Sequence, residues 1–315
     1  MDVRKLIIVA LVIIGLFFVL YLALDWGGTE NPIVNDYKQD GTTVNDNTDN
    51  VVVNHNLEEL KTLRREMYFE DGLCIDTSKL QNYEFSSTVN SGLLNATFYL
   101  YNSGSEVSKE NAAKISVNHI QNFDSIKLDV INEKYVDTIN EKAYYGLEAN
   151  SDTYKYGYVL GKKYICITVS QMSYIDMTKE KADKIAEEIM NSVTEAEGTS
   201  IFDRVYELKI FDTDRTLSKE DCSIDSIYND SIIIEARNGY DLEIFFAKGE
   251  LLKGYEKGDE FGVGAYSFVQ YIENDETPSY IYEYKKGDES AYYRVIGKCD
   301  TLQDFSDLMD IIYTK

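Results

Sequence analysis

Tyrosine recurs at every second position in two separate stretches, Tyr154, Tyr156 and Tyr158, then Tyr280, Tyr282 and Tyr284. Side chains at i, i+2 and i+4 of a strand share one face, so each stretch aligns three phenol rings. Such a row can present a flat amphipathic platform to a sugar or peptide, because tyrosine is large, rigid and able to hydrogen-bond. It can brace neighbouring strands at a surface. It can also pack beneath a covering helix, and the more polar alternate positions favour that arrangement: Lys155 and Gly157 in the first stretch, Glu283 and Lys285 in the second. The six tyrosines are thus candidate ligand-binding residues and candidate core residues at once.

Other chemistry finds little material. Histidine occurs only at His55 and His119, which leaves few options for a Ser-His or Cys-His couple. His55 reads as a solvated residue and His119 as a packed core-edge residue. There is no Gly-x-Ser-x-Gly elbow, His-Glu-x-x-His or glycine-rich phosphate loop. Gly262-Val263-Gly264-Ala265 opens like a dinucleotide loop but lacks the third glycine, and it reads as a bulge within a strand. A carboxylate pair could hydrolyse glycosides, yet among 55 acidic residues no two stand out. Asp212-Thr213-Asp214 and Glu273-Asn274-Asp275-Glu276 lack the ligand set of a calcium loop. The expectation is no catalytic residue, no metal and no cofactor.

Cys74, Cys166, Cys222 and Cys299 contain no Cys-x-x-Cys pair. Cys222 and Cys299 flank strand-like segments of one repeat, which makes them the expected disulfide. Cys166 sits inside the apolar run Ile165–Val169 and reads as a buried thiol, with Cys74 as its alternative partner. With 55 acidic residues against 31 basic, the formal charge of -24 repels phosphate backbones, so nucleic acid is not an expected partner.

The elements that must carry these residues begin with an apolar run from Leu6 to Leu24, preceded by Arg4 and Lys5 and followed by Asp25. As a helix it is long enough to span a bilayer, and the flanking charges favour a cytoplasmic N-terminus. The expected layout is a cytoplasmic tip over 1–5, a transmembrane anchor over 6–24 in contact with the lipid bilayer, and a flexible acidic stalk over 25–55. The body would then lie outside the cytoplasm. Asn56-Leu57-Glu58-Glu59 reads as a capping box opening a helix.

The body reads as two copies of one unit, 56–197 and 198–315. Tyr83–Val89, a turn at Asn90-Ser91-Gly92 and Leu93–Tyr101 match Ile232–Arg237, a turn at Asn238-Gly239 and Tyr240–Phe246. Asn-Gly between strand-like runs is a strong hairpin signal. Ala143-Tyr144 matches Ala265-Tyr266, the two tyrosine rows match each other, and Tyr164–Val169 matches Ala291–Ile296. Amphipathic helices close both copies, with Ala182, Ile185, Ile189 and Val193 on one stripe and Leu302, Phe305, Met309 and Ile312 on the other. A helix from Ser108, with Ala112, Ile115, His119, Ile120 and Phe123 on its stripe, appears only in the first copy.

The fold class expected is therefore α+β: a transmembrane helix, then two degenerate repeats of an antiparallel sheet with packed helices, the second lacking its central helix. The hairpin at Asn90-Ser91-Gly92, the helix from Ser108 and the closing helix from Thr178 give an order that resembles the Mog1/PsbP-like α/β/α sandwich. The resemblance covers 57–195 well and 200–315 in part. It implies a scaffold and no shared chemistry, and it carries over no functional residues. A/T-rich codon residues such as Asn, Ile, Tyr and Lys point to a bacterial gene. The functional expectation is a membrane-anchored extracytoplasmic binding or scaffolding protein at the cell surface, meeting a glycan, a peptide or a membrane protein. The alternatives are an accessory subunit of a membrane complex and a surface hydrolase using a carboxylate pair.

Overall fold

The computed structural model describes residues 55–101, 112–123, 132–139, 142–150, 153–172, 177–209, 216–246, 251–263, 266–273, 279–286, 289–296 and 302–313. Alternation of buried and exposed side chains, rich in Ile, Val, Tyr and Phe, drives most of these segments into strands. Strand β4 (Asn95–Tyr101) buries Ala96 and Phe98 between partly exposed Asn95, Thr97 and Tyr99. Turn chemistry sets where the chain reverses. Gly92 (φ 71°) and Gly239 (φ 84°) take the left-handed conformation in the Asn90-Ser91-Gly92 and Asn238-Gly239 turns.

The first copy contains α1 (His55–Leu63), β1 (Glu66–Tyr68), β2 (Leu73–Asp76), β3 (Glu84–Val89), β4, β5 (Ala112–Ile120), β6 (Asn132–Ile139), β7 (Lys142–Asn150), β8 (Thr153–Leu160), β9 (Lys163–Gln171), α2 (Lys179–Ser192) and β10 (Val193–Glu195). The second contains α3 (Ile201–Val205), β11 (Cys222–Tyr228), β12 (Ser231–Ala236), β13 (Asp241–Phe245), β14 (Tyr255–Val263), β15 (Tyr266–Glu273), β16 (Ser279–Lys286), β17 (Glu289–Ile296) and α4 (Leu302–Ile312). Strands β1, β2 and β10 form a small sheet. The other 14 form one antiparallel sheet in the order β14-β15-β16-β17-β13-β12-β11-β3-β4-β5-β9-β8-β7-β6.

That order reads the same outward from its centre in both directions. Each half has a three-strand meander followed by a four-strand meander in reverse, and the halves join edge to edge through β3 and β11. The joint is self-complementary. Thr88 lies opposite Ile227, with Val89 opposite Ser226 and Ser87 opposite Tyr228 on either side. A bulge falls at Ser86 in β3 and at the equivalent Asp225 in β11. Asn90 Nδ2 donates to Ile224 O (2.9 Å), and the equivalent Asn229 donates across the joint to Glu84 Oε1 (3.1 Å). The geometry is that of an isologous two-fold contact made within one chain. Arg64 locks it further, its Nη1 donating to Tyr228 O (2.8 Å) and Asn229 O (2.5 Å) while the guanidinium lies over Phe85. Burial pulls Arg64 down to about 10, against the opposing pull of Asp230, Glu84 and Glu58.

Helices cover one face. Ala182, Ile185, Ala186 and Ile189 of α2 are buried at the spacing of Phe305, Leu308, Met309 and Ile312 in α4. Thr178 caps α2 by accepting from Lys181 N. A single core runs beneath them through both halves, and all the described residues belong to one compact unit. The two repeats therefore share a sheet and a core.

The α+β expectation is corrected: the described residues are mainly β, with four α-helices among them. The helix expected from Ser108 is strand β5. Ala113, Ile115 and Val117 are buried, with Lys114, Ser116 and Asn118 turned the other way, so the apolar residues follow a period of two. The second copy has the equivalent strand, β13, and lacks no central element. The mismatch arose from aligning the β3–β4 hairpin with β12–β13; its true counterpart is β11–β12. Most of the shortening lies in the link before the third strand, 102–111 in the first copy and 237–240 in the second, with the rest in the hairpin link, 90–94 against 229–230. The tip, the anchor over Leu6–Leu24 and the stalk lie outside the described residues. Among the described residues no helix is long and apolar enough to cross a membrane, so the expected single-pass, membrane-anchored location is not retained.

Candidate functional site

Both tyrosine rows point toward the helices. Tyr156 and Tyr158 are fully buried and Tyr154 nearly so; Tyr282 is fully buried, Tyr284 buried and Tyr280 partly so. Tyr156 donates to Asp183 Oδ1 of α2 (3.1 Å). Tyr282 stacks on Phe305 of α4, with ring centroids 3.9 Å apart and planes at 15°, and Phe261, Phe268 and Tyr293 surround the same phenylalanine. These rings lie within the core and offer no open platform.

The Cys222–Cys299 pairing is corrected. Cys222 is a buried thiol outside any disulfide that donates to Ser218 O (3.1 Å), and Cys74 and Cys166 are likewise buried thiols outside any disulfide. Strands β11 and β17 do not end side by side, because β12 and β13 separate them. That is three strand spacings, about 14 Å, against about 4.4–6.8 Å for a disulfide. Cys299 lies outside the described residues. Burial pushes the Cys74 and Cys222 thiols up to about 11, which leaves little thiolate at neutral pH. In the folded protein both should react with a thiol reagent far more slowly than after denaturation; rapid labelling of Cys222 under native conditions, read by peptide mass spectrometry, would contradict this.

His119 sits at the end of β5 with Nδ1 2.7 Å from Asp71 Oδ2. Asp71 also accepts from Leu94 N (2.8 Å) and Leu73 N (3.1 Å). A carboxylate behind a histidine is half of a general-base arrangement. Among the described residues no hydroxyl or thiol completes it, and no group of three metal-binding side chains occurs. The pair clasps the β1–β2 turn to the ends of β4 and β5.

The face away from the helices differs between the halves along one row of side chains, while the row of Ser223, Glu235 and Asp241 is exposed like its counterpart Glu84, Tyr99 and Lys114. In the second half, Glu243 and Glu283 are 3 % and 1 % exposed. Arg294 and Ser231 donate to Glu243 (Ser231 at 3.0 Å). Tyr271 and Tyr292 donate to Glu283 at 2.7 and 3.0 Å. Burial raises the Glu243 carboxyl although Arg294 opposes it, and burial followed by the Glu283 bond pushes Tyr271 up to about 12. Phe245, Ile281, Tyr292 and Leu251 close over these groups, with Leu252 and Tyr255 against them. The two carboxylates are occupied by their own partners beneath an apolar cover.

In the first half Ile120 and Phe123 cover Cys166 on the equivalent face, and two rows beside it stay partly exposed. Ser87, Thr97, Ser116, Thr168 and Lys155 lie opposite one another across β3, β4, β5, β9 and β8. The next row is Glu84, Tyr99, Lys114, Ser170 and Thr153 in the same strand order. All ten are partly or fully exposed, and Tyr101 extends the face with its ring 6.2 Å from that of Tyr99. The pairing register matches the halves residue by residue: Thr97 stands where Ile233 stands, Ser116 where Glu243, Thr168 where Arg294, and Lys155 where Ile281. Along this row the shared scaffold thus carries a buried ionic network in one half and partly exposed hydroxyls in the other. Sequence reasoning marked only Lys155 as polar here. The available signal was a single polar residue between buried apolar ones in Ala96-Thr97-Phe98, Ile115-Ser116-Val117 and Ile167-Thr168-Val169. No family model, curated protein or solved structure matches this chain, and its chemistry is read from these two faces.

Proposed function

We propose that the protein is a binding protein whose contact surface is the helix-free face of its first half. One observation carries this reading: where the second half sets Glu243, Arg294 and Ile281 in a paired network beside an apolar cover, the matched positions of the first half hold Ser116, Thr168 and Lys155, partly exposed and in register with Ser87 and Thr97. Stability alone favours the covered arrangement, because burying apolar area is the main stabilising term. Fixed strands hold the exposed groups at set spacings, which lowers the entropy a ligand contact must offset. The sheet edges are less suited to the task. Terminal strands β6 and β14 both contain a bulge, a device that discourages further strand pairing.

The test places arginine at the centre of the face. The full chain, immobilised, is challenged with soluble neutral polysaccharides, an acidic polysaccharide and unstructured peptides, beside the double variant Thr97→Arg, Thr168→Arg. Binding by at least one probe, lost in the variant with melting temperature retained, is the expected result. Equal binding by both proteins, or none by either, would overturn the reading.

A further inference from the structure

We infer that the ligand of this face is a neutral polysaccharide chain; this rests on the binding reading above. Hydroxyls dominate the two rows, contributed by Ser87, Thr97, Ser116, Thr168, Ser170 and Thr153. Each can donate and accept, as each sugar hydroxyl can, so neither side is committed to one polarity. Adjacent strands lie about 4.8 Å apart, so the row from β3 to β8 repeats hydroxyl groups on the length scale of successive sugar rings. Tyr99 and Tyr101 add two rings, tilted at 38° to each other, against which the apolar face of a pyranose can lie while the phenols stay wet. Thr153 Oγ1 and Ser170 Oγ are 3.4 Å apart, a pair that one ligand hydroxyl can bridge.

Charge selects among polyhydroxylated ligands. The whole chain carries -24, which disfavours an acidic polymer at long range. On the face itself Lys114 and Lys155 stand against Glu84, and Glu84 Oε1 already accepts from Asn229. These two rows therefore carry little net charge, and the exposed Lys114 amine can donate to neutral sugar oxygens. A peptide gains most affinity from main-chain pairing at a sheet edge, which a flat central face does not offer.

Native affinity electrophoresis suits so acidic a protein. Full-length chain is run through gels containing hydroxyethyl cellulose, dextran or alginate, beside Tyr99→Ala and Lys155→Ala; thermal melts check that both variants stay folded. Retardation by a neutral polysaccharide, weakened at least tenfold in apparent affinity by Tyr99→Ala, is expected. Retardation by alginate alone, or peptide capture abolished by Thr97→Arg with Thr168→Arg, would overturn the polysaccharide assignment and leave the binding reading standing. Neutral-polysaccharide retardation unchanged in both variants would overturn the assignment to this face. No retardation in any gel, together with no peptide capture, would overturn both.

Discussion

Tyr282→Ala is expected to cost about 3–5 kcal/mol of folding stability, in the range of other large aromatic truncations in cores. The ring is fully buried and stacked on Phe305, and it bridges the sheet to α4. Its loss leaves a cavity among Phe261, Phe268 and Tyr293 that a rigid sheet cannot collapse to fill. For a body of this size the melting temperature should fall by more than about 6 °C. Tyr282→Phe keeps the ring and should recover most of the loss. An alanine variant that melts within 1 °C of the parent would show that the ring is not part of the core.

The second large effect concerns Arg294. Its guanidinium answers the Glu243 carboxylate in a site where Glu243 is 3 % exposed. Arg294→Ala leaves that carboxylate with Ser231 as its remaining hydrogen-bond donor, and breaking a buried pair from one side costs about 3–5 kcal/mol. The pH dependence has a definite sign. Burial already raises the Glu243 carboxyl above its ordinary value, so its contribution is fully present below the unfolded value and is lost as pH rises through the folded one. Without Arg294 to oppose burial, the rise is larger. The deficit of Arg294→Ala relative to the parent should therefore be greatest near pH 8 and shrink as pH falls toward the ordinary glutamate range. Adding Glu243→Gln to the arginine variant should recover stability at pH 8, since a neutral amide carries no charge to strand. Urea titrations at several pH values decide this; a deficit independent of pH, or no gain from the double variant, would refute the account.

Both predictions rest on cross-strand neighbours, and these were the least legible part of the sequence. The hairpin turns at Asn90-Ser91-Gly92 and Asn238-Gly239 could be read directly, because the demand for a left-handed residue is satisfied within three positions. The closing helices were legible for a similar reason: Thr178 caps its own helix, and the apolar stripes of α2 and α4 complete themselves within a few turns. Strand β5 was not. Ala112, Ile115 and His119 fit a helical stripe as well as Ala113, Ile115 and Val117 fit a strand face, and short apolar runs do not distinguish the two periods. Pairing with β4 and β9 on both sides decides it. The duplication was visible in the tyrosine rows, yet its alignment slipped by one hairpin, since adjacent hairpins of a meander look alike locally and differ only in what lies beside them.

The sequence by itself determined the turns, the closing helices, the doubling of the chain and the facing of each tyrosine relative to its polar neighbours. Tertiary structure alone decided that the two copies join through β3 and β11 into one sheet, that Cys222 lies beside Ala236 at the end of β12 and not beside β17, and that Thr97, Ser116 and Thr168 form a row. The reason is the range of the interactions. A turn or a cap is settled by hydrogen bonds a few residues apart, whereas a row across a sheet depends on the register of every intervening pair. A slip of one residue would turn each of those hydroxyls to the opposite face. Burial of Ile115, Val117, Ile167 and Val169 beneath the helices holds that register, and so the core on one side of the sheet sets the chemistry displayed on the other.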